Sequence, residues 1–404
     1  MKKTLLSLSI SALLLSPAAF AKDFVLTDVA DNTEVANWTV SSNELGLKDA
    51  PAFTVTKKTL HGGKQEGSTL ITIESKDLQV SLIPTRGMNI YEIKSGDVRY
   101  GWKSPVDEIV NPAFMNLEMR KGLGWLDGFN EMMVRCGYEW TGHPGEVDGK
   151  LLSLHGRAGN TPASKVVVSI DETAPYAIHV KGLVKENTFK LSALETWTQL
   201  TVVPGEKSVK IHDELTNNSD YDREYQIIYH SNFGSPILEE GAKFVAPVKE
   251  ISPFNNYAKK GLKDWQTYLA PTKNYDEMVF NLVPYADKDG KTTAMLHNKS
   301  ADKGIAVSYD TKQLPALTLW KNTDTLKQGY VTGIEPGTSY AYPRQFEREQ
   351  GRVKTLAPSG RQSFDLEYRV MTTAEEVTSV QKAIDAIAAG QKTKLINKPM
   401  RKES

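Results

Sequence analysis

A histidine and a glutamate, far apart in the chain, are the residues best suited to acid–base chemistry. His230 follows an apolar run in "IIYHSNFGSP", where we expect a strand to end in a turn. Glu335 follows apolar residues in "GYVTGIEPGTSYAYP", and the Pro-Gly pair after it predicts a fixed turn. Burial would raise the pKa of such a carboxyl group towards neutrality, as a general base requires. Each residue also fits a structural role, with His230 bonded to backbone and Glu335 accepting from amides of its turn.

Five further side chains could bind a polar ligand. Arg86 lies in "IPTRGMNIYEI", and a guanidinium suits sugar hydroxyls, a ligand carboxylate or an internal acid equally well. Trp320 and Lys321 end the apolar strand "ALTLWK", and a tryptophan face either stacks on a sugar ring or fills a core. His155 and Arg157 flank a glycine in "SLHGRAGNTPA", which is typical of a turn that presents polar side chains.

The remaining histidines give no further motif. His61 in "TLHGGKQEG" is explained by a turn that leads into a strand, and the other four (His143, His179, His212 and His297) have no supporting cluster around them. The chain contains no Gly-rich phosphate loop, no G-x-S-x-G elbow and no H-E-x-x-H motif. Scattered histidines and carboxylates could come together around a metal ion in space, but no ligand spacing requires one, so we predict no metal site.

Short alternating stretches define the fold class. "LQVSLIP", "ASKVVVSI", "SVKIHDEL" and "GIAVSYD" place apolar residues at every second position, and Gly, Pro, Asn or Asp bound each stretch. No strand–helix–strand rhythm is present, which argues against a parallel α/β fold. We therefore predict an all-β chain that forms one large antiparallel β-sandwich over residues 22–371.

Two segments depart from this pattern. Residues 107–146 are rich in Met, Trp, Gly and Phe without alternation, which predicts a long ordered excursion bordering a ligand cleft. Residues 372–404 begin with a capping box, Thr373 and Glu376, and carry an apolar stripe at helical spacing. We expect one C-terminal amphipathic helix that packs on the sandwich, Gly390 closing it, and a frayed lysine-rich end.

The first residues indicate where the protein works. Two lysines, a short apolar run and the ending "AAFA" predict a signal peptide over residues 1–21, cleaved after Ala21, and hence a periplasmic protein. The chain has 49 basic and 49 acidic residues, and removal of Lys2 and Lys3 with the signal leaves 47 basic ones. This near-neutrality favours a small-molecule partner over nucleic acid or a membrane surface. One cysteine, Cys136, excludes an intrachain disulfide.

Taken in chain order, five motifs carry a resemblance to a known family. "RGMNI", "LHGR", "YHSNFG", "LWK" and "GIEPGT" resemble, from about Leu60 to Val370, the aldose 1-epimerase (galactose mutarotase-like) superfamily, and within it the bacterial aldose-epimerase-related branch. The resemblance implies the galactose mutarotase-like supersandwich fold, a sugar as the small-molecule partner and no cofactor. The activity it implies is isomerisation of sugar anomers.

The resemblance also implies a role for each candidate residue. His230 becomes the acid and Glu335 the base that open and reclose the sugar ring, while Arg86 and His155 bind the sugar. We group Asn232, which shares the motif of His230, with the substrate-binding residues, together with Arg157, Trp320 and Lys321. Two alternatives remain open. The same pair could isomerise or epimerise a sugar at another carbon, or the protein could be a non-catalytic periplasmic carbohydrate-binding protein.

Overall fold

Strands dominate the computed structural model, which describes residues 21–402. In chain order the strands are β1 (Ala21–Asp28), β2 (Thr33–Glu34), β3 (Asn37–Ser41), β4 (Phe53–Thr59), β5 (Thr69–Ser75), β6 (Gln79–Ile83), β7 (Asn89–Ser95), β8 (Val98–Tyr100), β9 (Met133–Tyr138), β10 (Gly145–Val147), β11 (Lys150–Leu152), β12 (Lys165–Asp171), β13 (Ile178–Asn187), β14 (Ala193–Val202), β15 (Ser208–Asn217), β16 (Arg223–Gly234), β17 (Lys243–Val245), β18 (Val248–Pro253), β19 (Met278–Pro284), β20 (Lys291–His297), β21 (Gly304–Asp310), β22 (Ala316–Asn322), β23 (Val331–Gly337), β24 (Lys354–Leu356), β25 (Arg361–Met371) and β26 (Lys394–Leu395). The helices are α1 (Met119–Gly122), α2 (Arg344–Glu349) and α3 (Ala374–Ala388). The predicted signal peptide, apart from Ala21, lies outside the described residues.

Two large sheets contain most of these strands. The first has ten strands in the order β17-β20-β21-β25-β15-β14-β13-β12-β1-β2. The second has fourteen, in the order β26-β18-β19-β22-β23-β16-β9-β7-β6-β5-β4-β3, with β8 paired to β7 and β24 to β16. Neighbouring strands are antiparallel, as β15 with β25 and β16 with β23, except that β26 is parallel to β18. The predicted antiparallel β-sandwich is confirmed.

Alternation along the strands builds the core between the sheets. In β13 the residues Ile178, Val180 and Val184 are fully buried, while the side chains between them are partly exposed. Such a strand presents one apolar face to the opposing sheet. The largest apolar cluster joins the inner faces of both sheets, for example Ile73 and Ile227 from the second sheet with Leu200 and Phe364 from the first.

A buried ion pair also crosses the sandwich. Arg135 of β9 donates from Nε to Oδ2 of Asp213 on β15 at 2.6 Å and from Nη2 to Oδ1 at 3.1 Å. The Tyr229 hydroxyl donates to the same carboxylate at 2.8 Å. Both charged side chains are at most 1 % exposed. Arg135 and Tyr229 of the second sheet and Asp213 of the first therefore share one buried network, which fixes the position of one sheet relative to the other.

The excursion over residues 107–146 is only partly irregular. It includes a short turn at α1, where Arg120 and Lys121 take left-handed conformations, and a 3-10 turn over Gly124–Gly128. It also contains β9, a central strand of the second sheet, which the sequence did not predict. All six residues of β9 are buried, and a strand covered on both faces shows no alternation.

The C-terminal segment is helical as predicted, whereas residues 394–395 of the end predicted to be frayed pair with a sheet. Thr373 accepts a hydrogen bond from the Glu376 amide, and Val377 and Ile384 pack into an apolar cluster with β20, β21 and β25. Both Ala389 and Gly390 take left-handed conformations where the helix ends. The chain then forms β26 against β18, and the Thr393 hydroxyl donates to the Val248 carbonyl at 2.8 Å. Backbone pairing with a sheet edge holds this tail, which composition alone does not show.

No helix within residues 21–402 is both long and apolar enough to cross a bilayer.

Candidate active site

The acid–base candidates meet on the outer face of the second sheet. The register between β16 and β23 pairs Ile228 with Gly337 and Ser231 with Ile334, which puts His230 opposite Glu335. Their side chains approach to 3.3 Å between Nε2 and Oε1, and both are nearly buried, at 6 % and 2 % exposure. His230 therefore lies within a strand and not at its end, and Glu335 lies within β23 and not in a turn. Two strand backbones hold the pair at this spacing.

The alternation of β16 explains why His230 faces outwards. Tyr229 and Ser231 point inwards, where their hydroxyls bond Asp213 and the Tyr368 hydroxyl of the first sheet, both at 2.8 Å. Side chains one residue along a strand point to the opposite face. His230 and Asn232 consequently share the outer face, while their neighbours fix the strand to the other sheet.

Asn232 determines which nitrogen of His230 carries a proton. The Asn232 amide donates from Nδ2 to the carbonyls of Glu131 and His230, both at 3.1 Å, so its Oδ1 is an acceptor. His230 Nδ1 lies 2.7 Å from that oxygen and must donate to it. Neutral His230 therefore has its lone pair on Nε2, the nitrogen that faces Glu335. The predicted binding residue Asn232 positions His230 in this structure.

Burial pushes both members of the pair towards their uncharged forms. Desolvation lowers the pKa of His230 to about 4, which its bond to Asn232 partly offsets. Desolvation also raises the pKa of Glu335 well above its ordinary value, and the nearby Glu277 charge adds to this. The sequence-based roles start from a Glu335 carboxylate and a protonated His230. Burial favours the uncharged arrangement, with the proton on Glu335 and the lone pair on His230.

His155 stands beside this pair in a constrained turn. Its ring centroid lies 5.1 Å from that of His230 and 4.7 Å from Trp125. His155 takes a left-handed conformation with φ of 59°, and Gly156 follows with φ of 74°. A Cβ on Gly156 would overlap the carbonyl oxygens of Trp140 and Gly137. Desolvation lowers the pKa of His155 well below its ordinary value, so it is a neutral hydrogen-bonding group.

These groups form the floor of a largely apolar cavity of about 290 Å³. The excursion over residues 107–146 supplies much of its wall, with Trp125 6.0 Å and Phe129 5.4 Å from the His230 ring between centroids. This confirms that the excursion borders the cleft around His155 and His230. Trp320 closes another side, its ring centroid 5.5 Å from His230 and its Nε1 bonded to Glu277 at 2.7 Å.

Three predicted binding cations do not line the cavity. Arg86 is fully buried and forms an ion pair with Glu131 at 2.7 Å; its Nη1 donates to the Val110 carbonyl. Arg157 pairs with Glu186 at 3.0 Å and with Glu139 at 3.2 Å. Of the partners that the sequence left open for Arg86, the structure shows the internal acid.

Lys321 fails to reach the cavity because of strand geometry. It follows Trp320 in β22, so the two side chains point to opposite faces of the sheet. Its Nζ donates to the carbonyls of Trp265 and Thr267, at 3.0 Å and 2.7 Å. The sequence-based prediction placed both residues in the site, but adjacent residues of a regular strand cannot both face it. His61, interpreted as a turn residue, is exposed and pairs with Glu66.

Ten of the fourteen described residues that line the cavity were not predicted as site residues, and four of these carry aromatic, imidazole or hydroxyl side chains. Trp125 and Phe129 belong to the excursion, as does His143, for which the sequence showed no supporting cluster. Thr318 lies two residues before Trp320 in β22 and directly opposite Glu335 in the register. The period of two along a strand would have placed Thr318 beside Trp320, whereas His143 is brought in only by tertiary folding.

The cavity does not contain a metal-ligand set. Within residues 21–402, no cluster of three or more His, Cys, Asp or Glu side chains has a geometry that could hold a metal ion. What the floor provides is a carboxyl group and an imidazole nitrogen 3.3 Å apart, with aromatic faces around them. Such an arrangement can move two protons on one small ligand.

Comparison with known proteins agrees with this fold. Residues 65–370 match the family described as "Domain of unknown function (DUF4432)". The chain belongs to this family. It is 57 % identical to a protein from Klebsiella pneumoniae named "putative aldose 1-epimerase", whose crystal structure superposes with a TM-score of 0.94 over 95 % of this chain and 100 % of that one. The DUF4432 chain is thereby also a member of the aldose 1-epimerase (galactose mutarotase-like) superfamily.

More distant structures share the fold alone. A galactose 1-epimerase from Lactobacillus acidophilus is 12 % identical, with a TM-score of 0.53 over 79 % of this chain and 99 % of its own. A galactose mutarotase-like protein from Clostridium acetobutylicum is 16 % identical, with a TM-score of 0.52 over 81 % of this chain and 100 % of its own. Among curated proteins, none matches this sequence.

Proposed function

We propose that this protein is an aldose 1-epimerase that interconverts the anomers of a sugar through Glu335 and His230. The observation that carries the proposal is the buried pair itself, with Nε2 and Oε1 3.3 Å apart at the floor of a cavity of monosaccharide scale. The name of the Klebsiella pneumoniae relative supports the reaction class. Aromatic side chains around the pair suit the apolar faces of a sugar ring.

The reaction needs two proton movements at neighbouring oxygens. Starting from the uncharged pair, His230 Nε2 takes the proton of the anomeric hydroxyl while Glu335 gives its proton to the ring oxygen. The bond between the anomeric carbon and the ring oxygen breaks, leaving an open-chain aldehyde. Rotation about the adjacent carbon–carbon bond and closure with both transfers reversed give the other anomer, and both side chains regain their first state. General acid and base catalysis contribute about 10²- to 10⁴-fold each.

The opposite starting state uses the same residues. With Glu335 as carboxylate and His230 protonated, the base and acid exchange roles, as the family resemblance implies. The two states hold the same number of protons and differ only in which residue has the mobile one, so they respond identically to pH. Burial favours the uncharged state before the sugar enters.

Anomer exchange on freshly dissolved single anomers tests the proposal. Nuclear magnetic resonance or polarimetry should show faster exchange than buffer alone for at least one aldose in a panel of hexoses and pentoses. Glu335→Gln and His230→Asn should each lose most of this activity. Unchanged exchange across the panel overturns the proposal. Turnover that yields a ketose or a C2 epimer would assign the pair to another carbon, and binding without turnover would make the protein a carbohydrate-binding protein.

A stability measurement shows whether Glu335→Gln remains folded. Glu335 keeps its proton to a higher pH in the folded chain than the unfolded value of about 4.3. Above that value the unfolded chain releases a proton that the folded chain holds, so folding stability falls as pH rises. The Gln variant has no such proton. Its melting temperature should therefore rise relative to the parent as the pH increases above about 4.3. A folded variant with this behaviour and no activity has lost the chemistry and not the fold.

We also propose that the protein is exported and works on periplasmic sugars. The basic start and short apolar run of residues 1–21 support this. Expression in a Gram-negative host followed by fractionation should place the protein in the periplasm with Lys22 as its first residue. Recovery from the cytoplasm with Met1 intact would overturn export.

A further inference from the structure

We propose that the cavity selects an uncharged sugar, which His143 holds through a hydrogen bond from a sugar hydroxyl, and that it excludes sugars bearing carboxylate or phosphate groups. This inference rests on the proposed function and specifies its substrate class. It follows from two independent features of the cavity, the charges that line it and the way in which His143 is fixed.

The first feature is the absence of a cation. Of the described residues that line the cavity, none is lysine or arginine. The charge of Glu277, which also raises the pKa of Glu335, repels a negative ligand. Two cations that the sequence predicted for the site are committed elsewhere, with Arg86 bonded to Glu131 and Lys321 to two carbonyls on the opposite face of the sheet. An anionic group would lose its hydration in this cavity without gaining a partner.

The second feature is the anchoring of His143. Its backbone amide and its Nδ1 both lie against the Ala341 carbonyl, at 2.8 Å and 2.6 Å. A carbonyl oxygen only accepts, so Nδ1 carries the proton and Nε2 is left with a lone pair. The ring stacks on Phe254 with centroids 4.9 Å apart, and Phe254 stacks on Tyr342 at 4.1 Å. His143 is thus a fixed hydrogen-bond acceptor in the cavity wall.

An acceptor of this kind discriminates by chemistry. A hydroxyl group can donate to Nε2, whereas an ionised carboxylate or phosphate has only acceptor oxygens to offer. His155 and His230 cannot compensate by becoming cations, because desolvation lowers the pKa of both. The cavity therefore offers sugar hydroxyls several partners, and its described lining offers an anion neither a lysine nor an arginine. His143 is a binding residue in this scheme and takes no part in the proton transfers.

Matched sugar pairs test the charge selection. Anomer exchange should be measured for D-glucose against D-glucuronate and D-glucose 6-phosphate, and for D-galactose against D-galacturonate. We expect kcat/KM at least about 100-fold lower for the charged member of each pair. Equal or faster exchange of a charged sugar overturns the inference and leaves the proposed function intact. If no sugar exchanges, the proposed function fails, and charge selection is then decided by calorimetric titration of the same sugars.

Substitutions at His143 test its role. His143→Phe keeps the stack on Phe254 but removes the acceptor, and should raise KM about 10-fold with kcat within about threefold. His143→Gln keeps a side-chain acceptor and should restore part of the affinity. His143→Lys introduces a cation, which should shift the kcat/KM ratio towards the charged sugars by about 10-fold or more. A fall in kcat at constant KM for His143→Phe, or an unmoved ratio for His143→Lys in a folded variant, overturns the assignment.

Discussion

His230 and Glu335 face each other across two antiparallel strands, and 3.3 Å separates Nε2 from Oε1. Strand register sets this spacing, and Asn232 sets the orientation of the imidazole through its 2.7 Å bond to Nδ1. Because neither contact involves a surface loop, the pair is held in place before a ligand arrives. Preorganised groups avoid the cost of reorganisation at the moment of reaction.

The pair should give a bell-shaped pH profile. Below about pH 4, the pKa of buried His230, its Nε2 is protonated and no base remains. Above the raised pKa of Glu335, the carboxyl group is ionised and no acid remains. The profile of kcat/KM should therefore fall on both sides of a plateau that begins near pH 4 and extends well above 4.5, and the two limits belong to the pair as a whole. An acid limb near pH 6.5, the ordinary histidine value, would contradict the burial of His230.

Neighbouring residues of β22 should differ in their effects on binding. Trp320 faces the cavity, so Trp320→Leu should raise KM about 10-fold through the loss of a stacking surface. Lys321 faces away, and burial lowers its pKa to about 8. Lys321→Met should leave KM within about twofold, although orphaned carbonyls of Trp265 and Thr267 should lower stability by about 1–3 kcal/mol. Steady-state kinetics with urea unfolding measures both, and a larger KM change for Lys321→Met would contradict the assigned faces.

Two glycines with nearly the same φ should respond differently to alanine. Gly156 has φ of 74° and Gly149 has φ of 72°. A Cβ on Gly156 would overlap two carbonyl oxygens, while one on Gly149 would meet nothing within 4 Å. Gly149→Ala should cost about 1–2 kcal/mol from its left-handed backbone alone. Gly156→Ala should cost more and should also reduce anomer exchange, because its turn carries His155. Equal losses in urea unfolding would contradict the close approach at Gly156.

The ion pair between the sheets should contribute strongly to stability. Asp213→Ala leaves Arg135 buried without its partner, which should lower the free energy of unfolding by about 3–5 kcal/mol. Asp289→Ala removes an exposed partner of Lys288, whose ion pair measures 2.8 Å, and should change stability by at most about 0.5 kcal/mol. Urea unfolding of both variants gives the comparison. A small loss for Asp213→Ala would mean that Arg135 finds another partner.

The fold class could be predicted because apolar and polar residues alternate along the strands of a sandwich, and this alternation is visible in the sequence. Stretches such as "SVKIHDEL" expose one face and bury the other, and β15 has this pattern. The prediction missed β9, because both faces of this strand are covered and its residues therefore do not alternate between apolar and polar. It failed again for the tail, because the pairing of β26 with β18 joins residues about 140 positions apart, as the bond from Thr393 to Val248 shows.

Some site residues could be predicted from the sequence and others could not, because local sequence does not show which side chains meet in the folded chain. His230 and Glu335 stand out in the sequence because each follows an apolar run, and His155 because it precedes a glycine in a polar turn. The side chains around them depend on strand faces and tertiary contacts. Applying the period of two would have removed Lys321 from the site and added Thr318. Nothing local to His143 indicates that its ring reaches the same cavity, since Ala341 and Phe254 bring it there.

The chemical pair and the cavity walls come from different parts of the architecture. His230 and Glu335 belong to central strands, whereas Trp125 and Phe129 belong to the excursion that lies over them. The residues of the cavity wall can therefore change while the acid–base pair stays the same. Under the proposed function, replacing residues 107–129 with the matching segment of another family member, with β9 kept, should change which sugar is accepted and leave His230 and Glu335 in place.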